Sequence, residues 1–280
     1  MRSTRSSFHP TPRTRRQALA TAAGLTLVPW LPACSGGGKD EPAPPAPTPA
    51  DDDAVLLGRS YGDERLMSRQ LDPSMVHLVA RGQGTPHLLM RGNAPTDGGR
   101  FEYDALVAAL REAASGAWPE RFRIVDVSLM NDLVESDALE AERRFWAAHP
   151  GQGRFIHHPI YGALTDPADY PGAVRRMIER WRGLDRMDDL VRQLQDLLQA
   201  PAVDGVADVV FVHCRAGRDR TGQVIASYGM RHLSRSYREA MQEAEKVAGR
   251  ALVRYSRYGI AWQAHKLADR EGVPTIGPIP

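Results

Sequence analysis

Seven consecutive residues hold the densest chemistry in the chain: Cys214-Arg215-Ala216-Gly217-Arg218-Asp219-Arg220, followed by Thr221. They lie between an apolar run, Val206 to Val212, and a segment of helical spacing, Thr221 to Leu233. A thiol with an ordinary pKa of about 8.5 is a poor nucleophile at neutral pH, so a reactive Cys214 needs surroundings that favour the thiolate. A loop of converging backbone N–H groups at a helix N-terminus provides them, and the same nest accepts an oxyanion. Gly217 allows a sharp turn and a close backbone approach to the anion. Arg220 offers a planar fork for two oxygens of a tetrahedral group. Cys214 is therefore the candidate nucleophile, and Arg215, Ala216, Gly217, Arg218, Asp219 and Arg220 are candidate anion-binding residues. The competing reading is a buried structural cysteine with arginines nearby by accident. Partly burying three arginines without an anion is costly, which weighs against it.

With His213 in front and Thr221 behind, the stretch fits His-Cys-x-x-Gly-x-x-Arg-Ser/Thr between a buried strand and a helix. Here the sequence resembles the protein tyrosine and dual-specificity phosphatase superfamily, from roughly Thr85 to the end. The resemblance implies a phosphomonoesterase that works through a phosphocysteine intermediate and needs neither cofactor nor metal. It implies that His213 organises the loop and tunes the thiolate, and that the Thr221 hydroxyl assists departure of the sulfur. It also implies a general acid on the loop before the helix that precedes the catalytic strand. That loop is Gly162 to Pro171, which offers Asp166 and Asp169, with Asp166 the first choice and Asp169 the fallback. Myotubularins and certain bacterial secreted phosphatases carry an Asp at the position of Asp219, so Asp219 is a second candidate. The plainer readings are that Asp166 caps the helix at Pro171 and that Asp219 holds Arg218 or Arg215.

Arg215 and Arg218 together suit either a polyanionic substrate or a single phosphate held by more charge. In inositol-lipid phosphatases both positions are often lysine. The substrate implied is a phosphotyrosine or mixed phosphoprotein, with an inositol phosphate or phosphoinositide as the alternative. An inactive phosphate-binding module is a third reading, opposed by the intact Cys214, Arg220 and Thr221. Arsenate reductases and rhodaneses also use cysteine loops, but His213 and the Arg-Thr-Gly ending favour the phosphatase. His157-His158 has no Cys, Asp or Glu at ligand spacing and reads as a strand-end pair rather than a metal site.

The elements that must hold this loop alternate between strand and helix. Strands are expected at Thr85–Met90, Phe122–Leu129, Arg154–Tyr161 and Val206–Val212, with a turn from Gly92 to Gly99. Helices are expected at Tyr103–Ala114, Ala138–Ala148, Thr221–Leu233, Tyr237–Ala248 and Ala251–Ala268. One long helix opens near Pro171 and carries Val174, Met177, Ile178, Trp181, Leu184, Leu190, Val191, Leu194 and Leu198 on one face. The alternation predicts a single α/β domain with a mostly parallel central sheet flanked by helices, which is phosphatase-like by the resemblance.

The chain has 280 residues, 42% hydrophobic and 25% charged, enough for one well-filled domain. Its formal net charge of +2 gives no argument for a nucleic-acid partner. The N-terminus reads as an address. Arg2, Arg5, Arg13, Arg15 and Arg16 precede an apolar stretch, Ala18 to Ala33, with no acid before Asp40. Leu31-Pro32-Ala33-Cys34 resembles a bacterial lipobox, so residues 1–33 are expected to be a signal peptide and Cys34 to be lipidated. Thr14-Arg15-Arg16-Gln17-Ala18-Leu19 also resembles a twin-arginine signal; a basic Sec-type region is the other reading. Residues 34–53 read as the lipidated cysteine and an extended tether, and 54–280 as the catalytic domain. The expected location is the periplasmic side of a bacterial membrane, held by that lipid anchor.

Overall fold

The structure is a computed structural model that describes residues 70–133, 135–181 and 186–280. The signal segment, Cys34, the tether and the domain start at Ala54 lie outside the described residues, as do Leu184 and the side chain of Trp181. The strands are β1 (His77–Arg81), β2 (Leu88–Asn93), a short hairpin of β3 (Thr96–Asp97) and β4 (Arg100–Phe101), β5 (Phe122–Ser128), β6 (Gly153–His157) and β7 (Ala207–Cys214). Among the described residues the helices are α1 (Tyr103–Ala114), α2 (Ser136–Ala148), α3 (Gly172–Trp181), α4 (Met187–Gln199), α5 (Asp219–His232), α6 (Tyr237–Ala248) and α7 (Arg254–His265). The five-stranded sheet runs β1-β2-β7-β5-β6. Only β1 is antiparallel to its neighbour; the other pairings are parallel. The expected fold class, α/β with a mostly parallel central sheet between helices, is the one observed, and the described elements belong to one compact unit.

Strand alternation sorts the core into two faces. In β7, Val210, Val212 and Cys214 pack with Leu190, Leu194, Val224 and Ile225 of α4 and α5. Val209 and Phe211 point the other way, against Leu106 and Leu110 of α1 and Trp146 of α2. All eight residues of β7 are buried, and the strand is paired on both edges. A third cluster joins α5, α6 and α7 through Ala226, Met230, Ala240, Ala244 and Ile260. Cys214 thus sits at the carboxyl end of the central strand, and His213 faces the α2 side.

Several expected elements differ. The strand expected at Arg154–Tyr161 runs over Gly153–His157 and stops four residues earlier. The strand expected at Thr85–Met90 begins at Leu88 and runs on to Asn93. Gly92 belongs to it rather than to a turn, because a Cβ there would lie 2.7 Å from the Phe211 ring. The edge strand β1 had not been expected at all. The long helix from Pro171 is two helices, α3 and α4. Arg186 lies in the left-handed region (φ 46°) at the start of α4, so the turns of α4 do not continue those of α3. The last helix is shorter than Ala251–Ala268: α7 closes at His265 and a wider turn, Lys266–Arg270, follows.

Candidate active site

The loop after Cys214 is held open by its own carbonyls. The carbonyl of His213 accepts from Leu129 N (2.9 Å), that of Arg215 from Ala94 N (3.2 Å), and that of Gly217 from Arg91 Nη2 (2.7 Å). With those oxygens drawn outward, the amides of Ala216, Gly217, Arg218 and Asp219 donate to no acceptor among the described residues. They gather at the N-terminus of the 14-residue α5, where the helix dipole is positive. Gly217 has φ +70°, and a Cβ there would come within 2.6 Å of the Gly92 carbonyl. Only glycine fits that approach. The arrangement is an anion nest with a nearly buried thiol at its rim, Cys214 being 2% exposed.

Arg220 reaches back from the first turn of α5. Its Nη1 and Nη2 donate to the Glu135 carboxylate at 2.6 and 2.7 Å, a two-pronged pair, and Nη1 also contacts the Leu129 carbonyl at 3.3 Å. Glu135 accepts a further bond from Asn131 N (2.7 Å). Burial alone would raise the Glu135 carboxyl, but Arg220 and that amide outweigh it and hold it below the usual range. Glu135 had no place in the sequence reading: it lies 85 residues from Arg220, and no local pattern links them.

Behind the loop lies a second buried group. His213 Nε2 is 2.9 Å from Asp126 Oδ1 and 3.6 Å from Glu142 Oε1, with all three side chains fully buried. Trp146 Nε1 donates to the other Asp126 oxygen at 2.7 Å. Burial would lower His213, but Glu142 and Asp126 outweigh it and lift it to about 9. Burial, opposed by His213 and reinforced by Asp126, drives Glu142 up to about 8. The three ligand atoms lie within 4.8 Å of one another, a spacing that a metal ion could bridge. Hydrogen bonding to His213 and Trp146 engages both oxygens of Asp126, whereas neither Glu142 oxygen has a hydrogen-bond partner among the described residues.

This cluster sets a pH dependence. His213 is raised in the folded state above its ordinary 6.5, so its contribution is full below about 6.5 and fades as pH rises through about 9. Glu142 is raised above its ordinary 4.5, so the unfolded chain ionises first and stability falls between 4.5 and about 8. Both trends have the same sign. Glu142→Gln, which mimics the protonated acid, is expected to keep stability at pH 5 and to flatten the decline towards pH 8. Urea midpoints measured from pH 5 to 9 check this; an unchanged slope would show that Glu142 does not take up a proton on folding.

The remaining predicted site residues are placed as follows. Both Asp219 oxygens face Arg250, at 3.0 and 2.8 Å, and Oδ1 also accepts from Val253 N at 2.9 Å. The partner expected for Asp219, Arg218 or Arg215, is therefore replaced by Arg250, because the side chain leans toward the α6–α7 connection and not into the loop. Asp166 caps a short 3₁₀ turn, Pro167–Asp169, through Ala168 N at 3.0 Å, rather than the helix at Pro171. Its loop is fastened to α7: Ala163 N donates to the Tyr255 carbonyl at 2.9 Å, and Trp262 Nε1 to the Thr165 carbonyl at 2.8 Å. Arg215 Nη1 lies 3.7 Å from Asp137. The Arg218 side chain makes no hydrogen bond or ion pair among the described residues. The Thr221 hydroxyl is fully buried without a partner. His157 Nε2 meets the Met130 carbonyl at 2.9 Å, a strand-end contact.

No family model matches this chain, and no curated protein matches it. Solved structures do. The chain is similar to the core catalytic domain of the PP-IP phosphatase SIW14 from S. cerevisiae, at 13% identity over 70% of this chain and 93% of that one, with a TM-score of 0.37. It is similar to TpbA of P. aeruginosa, at 17% identity over 69% and 95%, with a TM-score of 0.37. It is also similar to kinase associated phosphatase, at 12% identity over 70% and 96%, with a TM-score of 0.39.

Proposed function

We propose that this chain is a cysteine-dependent phosphomonoesterase. The observation that carries the reading is the loop itself: inward amides at a helix N-terminus, directly after Cys214, beside an Arg220 fork locked by Glu135. The Cys214 thiolate attacks phosphorus in line, a P–S bond forms, and the ester P–O bond breaks. The leaving oxygen takes a proton from a general acid. Water then attacks the phosphocysteine, the P–S bond breaks, and inorganic phosphate leaves with the thiolate restored. The loop amides and Arg220 meet the equatorial oxygens as charge shifts. The Thr221 hydroxyl has no other engagement and is available to the departing sulfur.

Asp166 is the acid in this reading, because both Asp219 oxygens are occupied by Arg250. Asp166→Asn is expected to remove the alkaline limb of the kcat profile for an alkyl phosphate and to spare an aryl phosphate with a good leaving group. Asp219→Asn is expected to lower the melting temperature and to leave that limb in place. The reverse pattern would move the role to Asp219.

The favoured substrates are phosphotyrosine and mixed phosphoproteins. Arg218 supports the second reading, an inositol phosphate or phosphoinositide, since its guanidinium makes no ion pair among the described residues and is open to a second phosphate. Rates on phosphotyrosine peptides and inositol phosphates, compared in Arg218→Ala, separate the two. Export and lipid attachment at Cys34 complete the proposal, on the basic and apolar N-terminal pattern. A mature N-terminus other than an acylated Cys34 in mass spectrometry would overturn that part.

A further inference from the structure

Arg91 belongs to no motif and is, among the described residues, the most deeply buried arginine, at 2% exposure. It lies on β2 opposite Val212, on the sheet face that also holds Cys214 two residues further along β7. Its Nη2 donates to the Gly217 carbonyl at 2.7 Å, and its Nε has no partner. Among the described residues no carboxylate pairs with it. Glu243 of α6 is the nearest acidic influence, and Glu243 is engaged by Arg235. An isolated buried ion costs several kcal/mol, which one carbonyl does not offset. Burial pushes the Arg91 guanidinium down to about 10, while the neighbouring Cys214 and Glu243 act the other way. It therefore keeps its charge at neutral pH, and that charge needs an anion.

We propose that Arg91 is a positioning residue of the phosphate site that acts from beneath the loop, holding the Gly217 carbonyl outward and lending its positive charge to the Cys214 thiolate and the bound phosphoryl group. The inference rests on the phosphatase reading of the loop. The anion that the buried guanidinium lacks in the protein is the one that the loop is shaped to hold. The surrounding charges do not supply the same effect. Burial, and then Arg91 itself, hold His77 of β1 below its usual range, so it stays neutral near pH 7. Arg220 is tied to Glu135, and His213 is hydrogen-bonded to Asp126, with Glu142 3.6 Å away, on the opposite face. Among the described residues Arg91 is thus the buried charge beneath the loop without a carboxylate partner of its own; Arg218, also without an ion pair, stands in the loop itself and is only partly buried.

The test uses the full chain and reads iodoacetamide alkylation of the Cys214 peptide by mass spectrometry at pH 6.5, with and without inorganic phosphate. Arg91→Gln keeps a donor for Gly217 and removes the charge; Arg91→Lys keeps the charge. Thermal melts confirm that each variant is folded. A charge role predicts that the Gln variant is alkylated about tenfold more slowly and needs about tenfold more phosphate for protection, while the Lys variant stays within about threefold of the parent. Equal behaviour of the two variants would reduce Arg91 to a scaffold and overturn the proposal. If the Gln variant does not fold, a tenfold loss in the Lys variant overturns it, and parent-like alkylation and protection in the Lys variant support it. A parent Cys214 that reacts no faster than an ordinary thiol, without phosphate protection, would instead sink the phosphatase reading itself.

Discussion

Cys214→Ser is expected to abolish hydrolysis of a small aryl phosphate, by at least about 10³-fold, while phosphate binding survives. A serine hydroxyl is a far weaker nucleophile than a thiolate, so no P–O bond forms from it at a useful rate. The loop amides and Arg220 are unaltered, so the variant still cradles the anion, and phosphate should still raise its melting temperature. Arg220→Lys is expected to cost at least about 10²-fold, because a single ammonium replaces a two-pronged fork that Glu135 holds in place. Initial rates and phosphate-dependent melts check both variants. Full activity in Cys214→Ser would end the thiolate mechanism.

Glu135→Ala carries the largest expected effect on stability, about 3–5 kcal/mol, because it leaves a buried guanidinium without its carboxylate. Activity is expected to fall as well, since Arg220 loses the partner that fixes its orientation toward the loop. Added phosphate should recover more stability in this variant than in the parent, because the ligand supplies the missing anion. Urea midpoints with and without phosphate measure this. A parent-like midpoint for Glu135→Ala would mean that the pair contributes nothing net to the fold.

The legibility of this site followed the chain. Residues Cys214 to Thr221 were readable because one loop holds the candidate nucleophile, amides and arginine in consecutive positions between a strand and a helix. The same holds for β5, β7 and α1, whose apolar periods are unbroken. The supporting residues were not readable. Arg91 reaches Gly217 across 126 residues, Glu135 reaches Arg220 across 85, and Asp126 reaches His213 across 87. Such pairings are made by strand order, and β7 inserted between β2 and β5 leaves no periodic mark in sequence. Gly92 misled for a related reason: its lack of a side chain answers the Phe211 ring of a strand that follows it by more than a hundred residues. Asp219 was visible as an acid beside the nucleophile, but its partner Arg250 lies beyond the next helix.

The strand that ends in Cys214 is hydrogen-bonded along both edges and buried over its whole length. Its amides therefore belong to the slowest-exchanging part of the molecule, released only when the whole body unfolds. Cys214 has no local route to disorder that spares the rest. Partial denaturation should then divide the population into fully competent and fully incompetent molecules, so that activity lost in urea tracks the fraction unfolded and not a gradual slackening of each site. Any adjustment to different substrates has to come from side chains around the loop and not from its floor.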